Sequence, residues 1–320
     1  MKGMSASYDI AIIGGGPAGL TAGLYACRGR MKAVLIEKAA PGGQALAAER
    51  IENFPGFPDG VNGPDLAESM AKQAALFGLE TKIAEAKNII KERGGRFAIE
   101  LAGGGRLEAA AVVIATGAKW AVLGIPGEKE LAGRGVSYCA TCDGPLFRAK
   151  EVVVVGGGDT ALEDALFLAK FAEKVTVVHR RGRLRAAKIL QERAAANKKI
   201  ELALNSVAVE VLGPGKCEAL RIKDVNTGKA RDIPAAGVFI LVGVAPNSEL
   251  IKGLVKADEK GYIICDDDMR TSLDGVFACG DVRKKLLRQI STAVGDGATA
   301  AASAQAYVDR LRGEEYPHLN

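Results

Sequence analysis

Two cysteines separated by two residues form the stretch of this sequence whose chemistry is easiest to state. The sequence CATCDG places Cys139 and Cys142 in a C-x-x-C with Asp143 directly behind them. This spacing lets two thiols close a small disulfide ring, and it commonly lowers the pKa of one thiol. A carboxyl group beside the pair can take or give the protons that disulfide reduction requires. Asp143 could equally cap the turn that follows, as aspartate often does.

Metal binding is the competing interpretation of the cysteine pair. A structural zinc site needs four ligands. The other four cysteines, Cys27, Cys217, Cys265 and Cys279, are scattered singly along the chain, and only two histidines are present. Because there is no second close pair, the sequence favours redox chemistry over zinc and predicts no metal site.

An N-terminal segment has the order of elements that binds a dinucleotide. Its predicted elements are a buried strand Tyr8–Ile13, a G-x-G-x-x-G turn through Gly14, Gly16 and Gly19, a helix Pro17–Gly29, a strand Ala33–Ile36 and the closing acid Glu37. Glycines let the backbone reach a pyrophosphate, and the helix N-terminus offers N–H groups and a positive dipole end. The acid binds a ribose hydroxyl. This complete context predicts a nucleotide site rather than a mere tight turn.

The same order of elements occurs again in the middle of the chain. Its predicted elements are a strand Val152–Val155, a turn Gly156–Ala161, a helix Asp159–Phe171 and a strand Lys174–Val178. The candidate nucleotide-binding residues of this turn are Gly156, Gly158, Asp159 and Thr160.

The second copy ends in basic residues where the first ends in an acid. The sequence HRRGRLR places His179, Arg180, Arg181 and Arg185 at the ribose position. A carboxylate there would repel a 2′-phosphate, whereas arginine binds it bidentately. The two copies therefore predict different nucleotides, and the second is predicted to be NADPH. A basic surface turn is the alternative interpretation.

The segments around the second copy predict a nested arrangement of domains. A strand is predicted at Val276–Ala278, followed by Gly280 and Asp281, and an alanine-rich helix starts around Gln289. The first copy needs partner strands, and this C-terminal segment supplies one. The predicted fold class is α/β, with two Rossmann-like nucleotide-binding domains. Residues 1–117 and 245–320 form a discontinuous domain, and residues 118–244 form a domain inserted into it, which carries the C-x-x-C.

Composition excludes several other classes of function. A chain of 320 residues with 48% hydrophobic and 25% charged residues suits two globular domains. The net charge is +5, but aromatic residues make up only 5%, and no interleaved basic and aromatic surface predicts a nucleic-acid partner. The first apolar run leads straight into glycines and is too short for a signal segment or a membrane span. We therefore expect a cytoplasmic protein with no membrane association.

Taken together, these motifs resemble those of the low-molecular-weight thioredoxin reductases. The resemblance is collinear from about Tyr8 to Val308, and it rests on GGGPAGLTA, PGGQ, IENFPGF, IATGA, CATCDG, GGGDTALEDALFLAK, HRRGRLRA, FACGDV and RQISTAVGDGATAA. It implies a homodimeric flavoenzyme with FAD in the discontinuous domain. It also implies NADPH and a redox-active disulfide in the inserted domain.

The resemblance also implies roles for individual residues. The implied FAD-binding residues are Gly14, Gly16, Gly19, Glu37, Gly43, Gln44, Asn53, Asp281, Arg288, Gln289 and Ile290. Cys142 is implied to be the flavin-proximal thiol, and Asp143 to transfer protons. Two positions depart from the family. Cys279 stands where the family usually has alanine and is interpreted as an inert packed thiol, and many members lack an acid at the position of Glu37.

The implied reaction passes electrons from NADPH through FAD to the Cys139/Cys142 disulfide and on to a thioredoxin. One alternative is reduction of another protein disulfide, in a glutaredoxin-like protein or an atypical thioredoxin-fold partner. The other alternative is a flavin-based redox sensor whose disulfide switches a binding surface. The intact NADPH motif and thiol pair favour catalytic turnover.

Overall fold

The computed structural model describes residues 6–48 and 51–314, and its chain divides into two compact units. The outer unit comprises residues 1–119 and 245–320, and the inserted unit comprises residues 120–244. Within the described ranges, no helix is long and apolar enough to cross a membrane.

Helices and strands alternate in residues 6–83 and 136–203, and each of these segments is followed by a run of strands. The helices are α1 (Pro17–Arg28), α2 (Gly63–Leu76), α3 (Ala140–Asp143), α4 (Asp159–Leu168), α5 (Lys188–Ala196) and α6 (Ile290–Arg312). The strands are β1 (Ala6–Ile13), β2 (Ala33–Glu37), β3 (Glu80–Ile83), β4 (Ala86–Lys91), β5 (Phe97–Leu101), β6 (Arg106–Ile114), β7 (Ala118–Trp120), β8 (Val136–Ser137), β9 (Glu151–Gly156), β10 (Lys174–Val178), β11 (Ile200–Ala203), β12 (Ser206–Leu212), β13 (Ala219–Asp224), β14 (Ala230–Pro234), β15 (Gly237–Leu241), β16 (Val244–Pro246) and β17 (Val276–Ala278).

A seven-stranded sheet forms the centre of the outer unit. Its strand order is β3-β2-β1-β6-β5-β4, and β17 also pairs with β6. The pairs β1–β2, β1–β6, β2–β3 and β6–β17 are parallel, whereas β4, β5 and β6 pair antiparallel. The strand predicted at Val276–Ala278 forms with these bounds, so residues from the C-terminal segment complete the sheet of the N-terminal one.

Helices α1 and α6 of the outer unit pack closely because small residues face each other. A Cβ atom at Gly297 would lie 2.2 Å from the carbonyl oxygen of Ala18, so only glycine allows this approach. Ala300, Ala301 and Ala304 of α6 are buried in the same core. Helix α6 ends at Gly313, which adopts a left-handed conformation with φ of 74°. The contact between Gly297 and Ala18 fixes α1, and with it the glycine turn at the N-terminus of α1.

The inserted unit contains a five-stranded parallel sheet and a three-stranded antiparallel sheet. The parallel sheet has the order β11-β10-β9-β15-β8, and the antiparallel sheet has the order β12-β13-β14. Strands β9 and β15 are runs of buried valine, isoleucine, leucine and phenylalanine, as is typical of parallel strands covered on both faces. The segments that join the two units, β7 and β16, pair as a two-stranded sheet.

Two predicted helices end earlier in the structure. The helix predicted to reach Gly29 ends at Arg28, and Gly29 is its C-cap. The helix predicted to reach Phe171 ends at Leu168. The N–H of Lys170 bonds the carbonyl of Phe167, and the N–H of Phe171 bonds that of Leu168. These hydrogen bonds of i→i+3 type tighten the chain into a turn and end the α-helix.

We predict opposite effects for two glycine-to-alanine substitutions in α6. Gly297→Ala should lower the free energy of unfolding by about 1–3 kcal/mol, because the new methyl group meets the backbone of Ala18. Gly295→Ala is the matched control, since a Cβ atom there meets nothing within 4 Å. The control should raise stability by about 0.5–1 kcal/mol through helix propensity. Urea unfolding followed by circular dichroism measures both, and equal effects would contradict the close packing.

Candidate functional site

The glycine turn before α1 brings backbone atoms together without intervening side chains. A Cβ atom at Gly14 would lie 2.3 Å from the carbonyl oxygen of Ala115, and one at Gly19 would lie 1.9 Å from that of Gly14. Helix α1 begins after Gly16 with Pro17 in its first turn, and no side chain caps it. The N-terminus therefore keeps its N–H groups and its dipole available to an anionic group.

Glu37 closes β2 beside this turn. Its carboxylate accepts hydrogen bonds from the N–H of Gly15 at 2.6 Å and of Ala39 at 3.0 Å. A cavity of about 440 Å³ opens next to it and is lined by residues that include Gly14, Glu37 and Thr116. This geometry places an acid at the edge of a cavity that starts at the glycine turn, as ribose binding requires.

Asn247 forms a wall of the same cavity and was not identified from the sequence. Its side chain donates a hydrogen bond to the carbonyl of Thr116 at 2.9 Å, and the Thr116 hydroxyl donates to the Asn247 carbonyl at 2.7 Å. The two residues lie 131 positions apart, so no local sequence pattern predicts the contact between them.

Gly43 and Gln44, two further residues predicted to contact the flavin, lie close to the glycine turn and to β7. The N–H of Gly42 bonds the carbonyl of Gly15 at 2.7 Å, and a Cβ atom at Gly43 would lie 3.0 Å from the Cα of Gly16. The Gln44 side-chain amide donates to the carbonyl of Ala118 at 2.5 Å. The loop that contains Gly43 and Gln44 thus folds directly over the start of α1.

The predicted residues at the start of α6 also come together. The Asn53 amide donates to the side-chain oxygen of Gln289 at 3.2 Å. Gln289 caps α6, which begins at Ile290, through a reciprocal capping box with Thr292. The Arg288 guanidinium lies 4.0 Å from the centre of the Tyr262 ring. These contacts bring Asn53, Arg288, Gln289 and Ile290 to one helix N-terminus.

Asp281 lies in a short 3₁₀ turn, Gly280–Val282, with one carboxylate oxygen left without a partner. Its Oδ1 atom is buried and makes no hydrogen bond within the described structure. Burial raises the pKa of Asp281, while Lys285 and Arg288 oppose this effect. A buried carboxylate oxygen of this kind calls for a hydrogen-bond donor. The hydroxyl groups of a bound dinucleotide supply one, so the outer unit fits the FAD predicted from the sequence.

A buried ion cluster that the sequence did not reveal holds the segment after Asp281. Asp296 of α6 accepts hydrogen bonds from the N–H of Gly280 at 3.0 Å, from Arg283 at 3.0 Å and from Lys285 at 2.8 Å. The side chains of all three charged residues are at most 13% exposed. The cluster therefore connects the turn that carries Asp281 to α6.

The glycine turn before α4 repeats the first turn in the inserted unit. A Cβ atom at Gly156 would lie 2.4 Å from the carbonyl oxygen of Leu241, whereas one at Gly158 meets nothing within 4 Å. Helix α4 begins with Asp159 and Thr160, and no side chain caps it. The Asp159 carboxylate instead accepts a hydrogen bond from the N–H of Ala187 at 2.7 Å. It thereby holds the chain after β10 close to the turn.

The basic segment after β10 folds back on this second turn. The N–H of Arg185 bonds the carbonyl of Gly157 at 2.7 Å. His179 is buried, and its Nε2 atom has no hydrogen-bond partner in the described structure. Burial lowers the pKa of His179, and the nearby positive charges of Arg185, Arg180 and Arg181 lower it further. Arg180, Arg181 and Arg185 are exposed, so their guanidinium groups can meet a phosphate.

The cysteine pair lies at the four-residue helix α3. Cys139 is disulfide-bonded, and the hydroxyl of Thr141 lies 3.3 Å from its sulfur. The side chain of Cys142 lies outside the described part of the structure. Asp143 ends α3, and its carboxylate is 2.7 Å from the hydroxyl of Ser137, a buried residue that sequence reasoning missed.

The four other cysteines are free thiols, and their environments disfavour reaction. Cys27, Cys217 and Cys279 are buried, and Cys265 is partly buried. Burial raises the pKa of all four, to about 11 for Cys217. Reaction needs the thiolate, so these groups are poor nucleophiles. Among the described residues, no group of three or more His, Cys, Asp or Glu could hold a metal ion.

Comparison with known proteins gives concordant matches over nearly the whole chain. The family model for pyridine nucleotide-disulphide oxidoreductases matches residues 8–297. The thioredoxin reductase of Listeria innocua is 47% identical over 307 residues, which cover 95% of both chains. That of Bacillus subtilis is 46% identical over 306 residues, covering 95% of this chain and 96% of its own. The structure of Lactococcus lactis thioredoxin reductase in its FR conformation matches with a TM-score of 0.92 at 44% identity, covering 95% of this chain and 99% of that one.

The carboxyl group of Asp164 in α4 should make the stability of the protein depend on pH. Its carboxylate accepts the N–H of Ala140 at 3.4 Å, and burial raises its pKa to about 7, with a smaller contribution from Glu163. As the pH rises from about 4 to 7, the unfolded chain loses this proton before the folded one does, so stability falls. Asp164→Asn keeps an acceptor and removes the charge. At each pH the free energy of unfolding of Asp164→Asn is compared with that of the wild type. The difference between the two proteins should be about 2–3 kcal/mol larger, in favour of the variant, at pH 8.5 than at pH 5.

Denaturant unfolding of both proteins at the two pH values measures this difference. Glu163→Gln is the control, because it removes an exposed carboxylate from the neighbouring position of the same helix. Glu163 contributes less than burial to the raised pKa of Asp164, so the effect of Glu163→Gln should vary with pH much less than that of Asp164→Asn. A gain for Asp164→Asn that is the same at both pH values would contradict the prediction.

Proposed function

The chain belongs to the thioredoxin reductase family of pyridine nucleotide-disulphide oxidoreductases, and we propose that it is an NADPH-dependent thioredoxin-disulfide reductase. The observation that carries the proposal is the combination found within the inserted unit. That unit holds the disulfide-bonded Cys139 beside Asp143, and also a glycine turn followed by arginines. A disulfide that NADPH reduces through a flavin can then reduce a disulfide of a protein partner.

The outer unit supplies the residues that would hold FAD. The uncapped N-terminus of α1 would hold the pyrophosphate, and Glu37 would bind the adenosine ribose. The unpartnered oxygen of Asp281 would accept a hydrogen bond from a hydroxyl of the ribityl chain or its neighbourhood. The N-terminus of α6, with Arg288 and Gln289 before it, would stabilise negative charge on the flavin ring. A flavin held there would supply the redox chemistry that links NADPH to the disulfide.

The inserted unit supplies the residues that would hold NADPH. The start of α4 after Gly158 is open for the pyrophosphate, because no side chain caps it and nothing crowds Gly158. Arg180, Arg181 and Arg185, which follow the buried His179, would bind the 2′-phosphate. The basic segment stands where the first copy has Glu37, so no carboxylate repels the 2′-phosphate there.

The cysteine pair and Asp143 carry the last transfer. Two electrons break the bond between the two sulfurs, and Asp143 exchanges the protons that turn the thiolates into thiols. One thiolate of the pair then attacks the disulfide of thioredoxin, and the second thiol resolves the mixed disulfide. The net result moves two electrons and two protons to the partner. Family membership supports Cys142 as the flavin-proximal thiol.

The assembly and location of the protein are part of the same proposal. We expect two copies to form a homodimer in the cytoplasm, without membrane association, as family membership supports. A glutaredoxin-like or atypical thioredoxin-fold protein is the alternative partner. A redox sensor would use the same disulfide without turnover, so steady oxidation of NADPH in the presence of thioredoxin separates it from the enzyme.

Serine substitution of either cysteine of the pair should separate the two halves of the reaction. Cys139→Ser and Cys142→Ser should each lose thioredoxin reduction, while NADPH still reduces the bound flavin at the wild-type rate. Cys217→Ser is the matched control, because it alters a free, buried thiol of the same unit. Anaerobic flavin absorbance and thioredoxin-dependent NADPH oxidation measure the two steps. Thioredoxin reduction by either pair variant would remove the C-x-x-C from the mechanism.

Removal of two arginines should change the choice of nucleotide. Arg180→Ala with Arg181→Ala should lower kcat/KM for NADPH relative to NADH by about two decades, because each charge-assisted phosphate contact contributes ~1.5–3 kcal/mol. Arg183→Ala removes an exposed charge of the same segment and controls for general electrostatic attraction. It should affect both nucleotides alike. Equal losses for both nucleotides in the double variant would mean that Arg180 and Arg181 do not bind the 2′-phosphate.

A further inference from the structure

Ser137 is a buried polar residue that no motif identified, and it lies at the disulfide turn. It ends β8 and is 5% exposed. Its hydroxyl oxygen lies 2.7 Å from Oδ2 of Asp143, 3.1 Å from the backbone nitrogen of Cys139 and 3.2 Å from the carbonyl oxygen of Cys139. One side chain therefore contacts both the peptide of a redox cysteine and the carboxylate proposed to exchange its protons.

The three contacts cannot all use the same hydroxyl proton. The N–H of Cys139 donates to the Ser137 oxygen, which leaves one hydroxyl proton for two acceptors. The carboxylate of Asp143 is the nearer acceptor, and a hydrogen bond to an ionised oxygen is about twice as strong as one to a neutral carbonyl. When Asp143 is ionised, the proton of Ser137 therefore points to Oδ2. When Asp143 is protonated on Oδ1, Oδ2 is the carbonyl oxygen of the acid and still accepts this hydrogen bond, so the side chain stays held in both states.

Asp143 needs such a support because its own element is short. Helix α3 has four residues, and the N–H of Asp143 bonds the carbonyl of Cys139 at 3.2 Å across that single turn. This backbone contact does not fix the side chain, whose two torsions would otherwise cost entropy to order. A group held in position before the reaction transfers its proton faster than one that must first find its orientation.

We propose that Ser137 is a positioning residue for proton transfer, holding Oδ2 of Asp143 so that Oδ1 exchanges protons with the thiol pair. The proposal rests on the proposed function and adds to it a residue outside the C-x-x-C-D motif. As the disulfide is reduced, the bond between the two sulfurs breaks and a thiolate departs. The protonated Asp143 gives it a proton from Oδ1, and the carboxylate that remains accepts a hydrogen bond from the Ser137 hydroxyl at Oδ2. Water returns the proton to Asp143, and the electrons come from NADPH through the flavin.

The neighbouring residue provides a matched control. The hydroxyl of Tyr138 donates to Oε1 of Glu128 at 2.8 Å, which is again a bond between a hydroxyl and a carboxylate. Glu128 also accepts the N–H groups of Leu123 and Gly124, so its carboxylate orders a loop. Tyr138→Phe therefore deletes the same kind of bond one residue away, without touching Asp143.

The experiment compares Ser137→Ala, Ser137→Thr, Tyr138→Phe, Asp143→Asn and the double variant of Ser137→Ala with Asp143→Asn, all as FAD-loaded, full-length protein. Anaerobic stopped-flow mixing with NADPH measures flavin reduction, and its reoxidation measures electron transfer to the disulfide. Oxidised thioredoxin then gives the overall turnover. Flavin reduction uses other residues, so it also reports correct folding in the same sample.

Ser137→Ala should slow reduction of the disulfide about tenfold or more and leave flavin reduction within about twofold of the wild type. Ser137→Thr keeps a hydroxyl and should recover most of the rate, and Tyr138→Phe should leave it unchanged. In the Asp143→Asn background, Ser137→Ala should cause no further loss, because both act through one proton transfer. Ser137→Gly replaces the alanine variant if that variant does not fold.

Three outcomes for the Ser137 variants would overturn the proposal. They are a loss in Ser137→Ala no larger than in Tyr138→Phe, multiplicative losses in the double variant, and no recovery in Ser137→Thr. A full rate in Asp143→Asn would also overturn it, since there would be no proton transfer at Asp143 to support. Failure of the proposed function has a different signature, because the wild-type protein itself would then not oxidise NADPH steadily in the presence of thioredoxin.

Discussion

Backbone packed directly on backbone is the constraint on which both candidate nucleotide sites depend. In the outer unit a Cβ atom at Gly19 would lie 1.9 Å from the oxygen of Gly14, and in the inserted unit one at Gly156 would lie 2.4 Å from that of Leu241. Each contact sets a helix N-terminus at the end of a buried strand, where no side chain caps it. The same geometry is built twice, and we therefore assign the difference in ligand to the position that holds Glu37 in one unit and a basic segment in the other.

The parts of the fold that could be predicted from the sequence have signals confined to a few neighbouring residues. The glycine turns gave the starts of α1 and α4, and buried apolar runs gave β10 and β17 with the bounds that the structure has. The end of α4 was predicted wrongly, because Ala169 and Lys170 are good helix formers. Their hydrogen bonds nevertheless close a tighter turn. Helix propensity depends on residue type alone, so it does not include the competing hydrogen bonds of i→i+3 type.

The residues that sequence reasoning missed are those whose partners lie far away or follow no spacing rule. Asn247 meets Thr116 across 131 positions, and Asp296 meets Arg283 and Lys285 from another element. Ser137 lies six positions before Asp143, but an isolated serine in a short strand carries no signal of its own. Each of these side chains holds in place a residue or segment of the candidate site. The motif therefore identifies the groups that react, and the tertiary structure identifies what orients them.

The discontinuity of the outer unit has a consequence for the order in which the protein can fold during synthesis. Strand β17 and helix α6 complete the sheet and the core of that unit, yet they follow the entire inserted unit along the chain. The ribosome adds about 5–20 residues per second, so the N-terminal half of the outer unit waits on the order of 10 s for these partners. During that interval the inserted unit is already made and can close its own core. The apolar faces of β6 and α1, in contrast, stay uncovered and within reach of chaperones until α6 emerges.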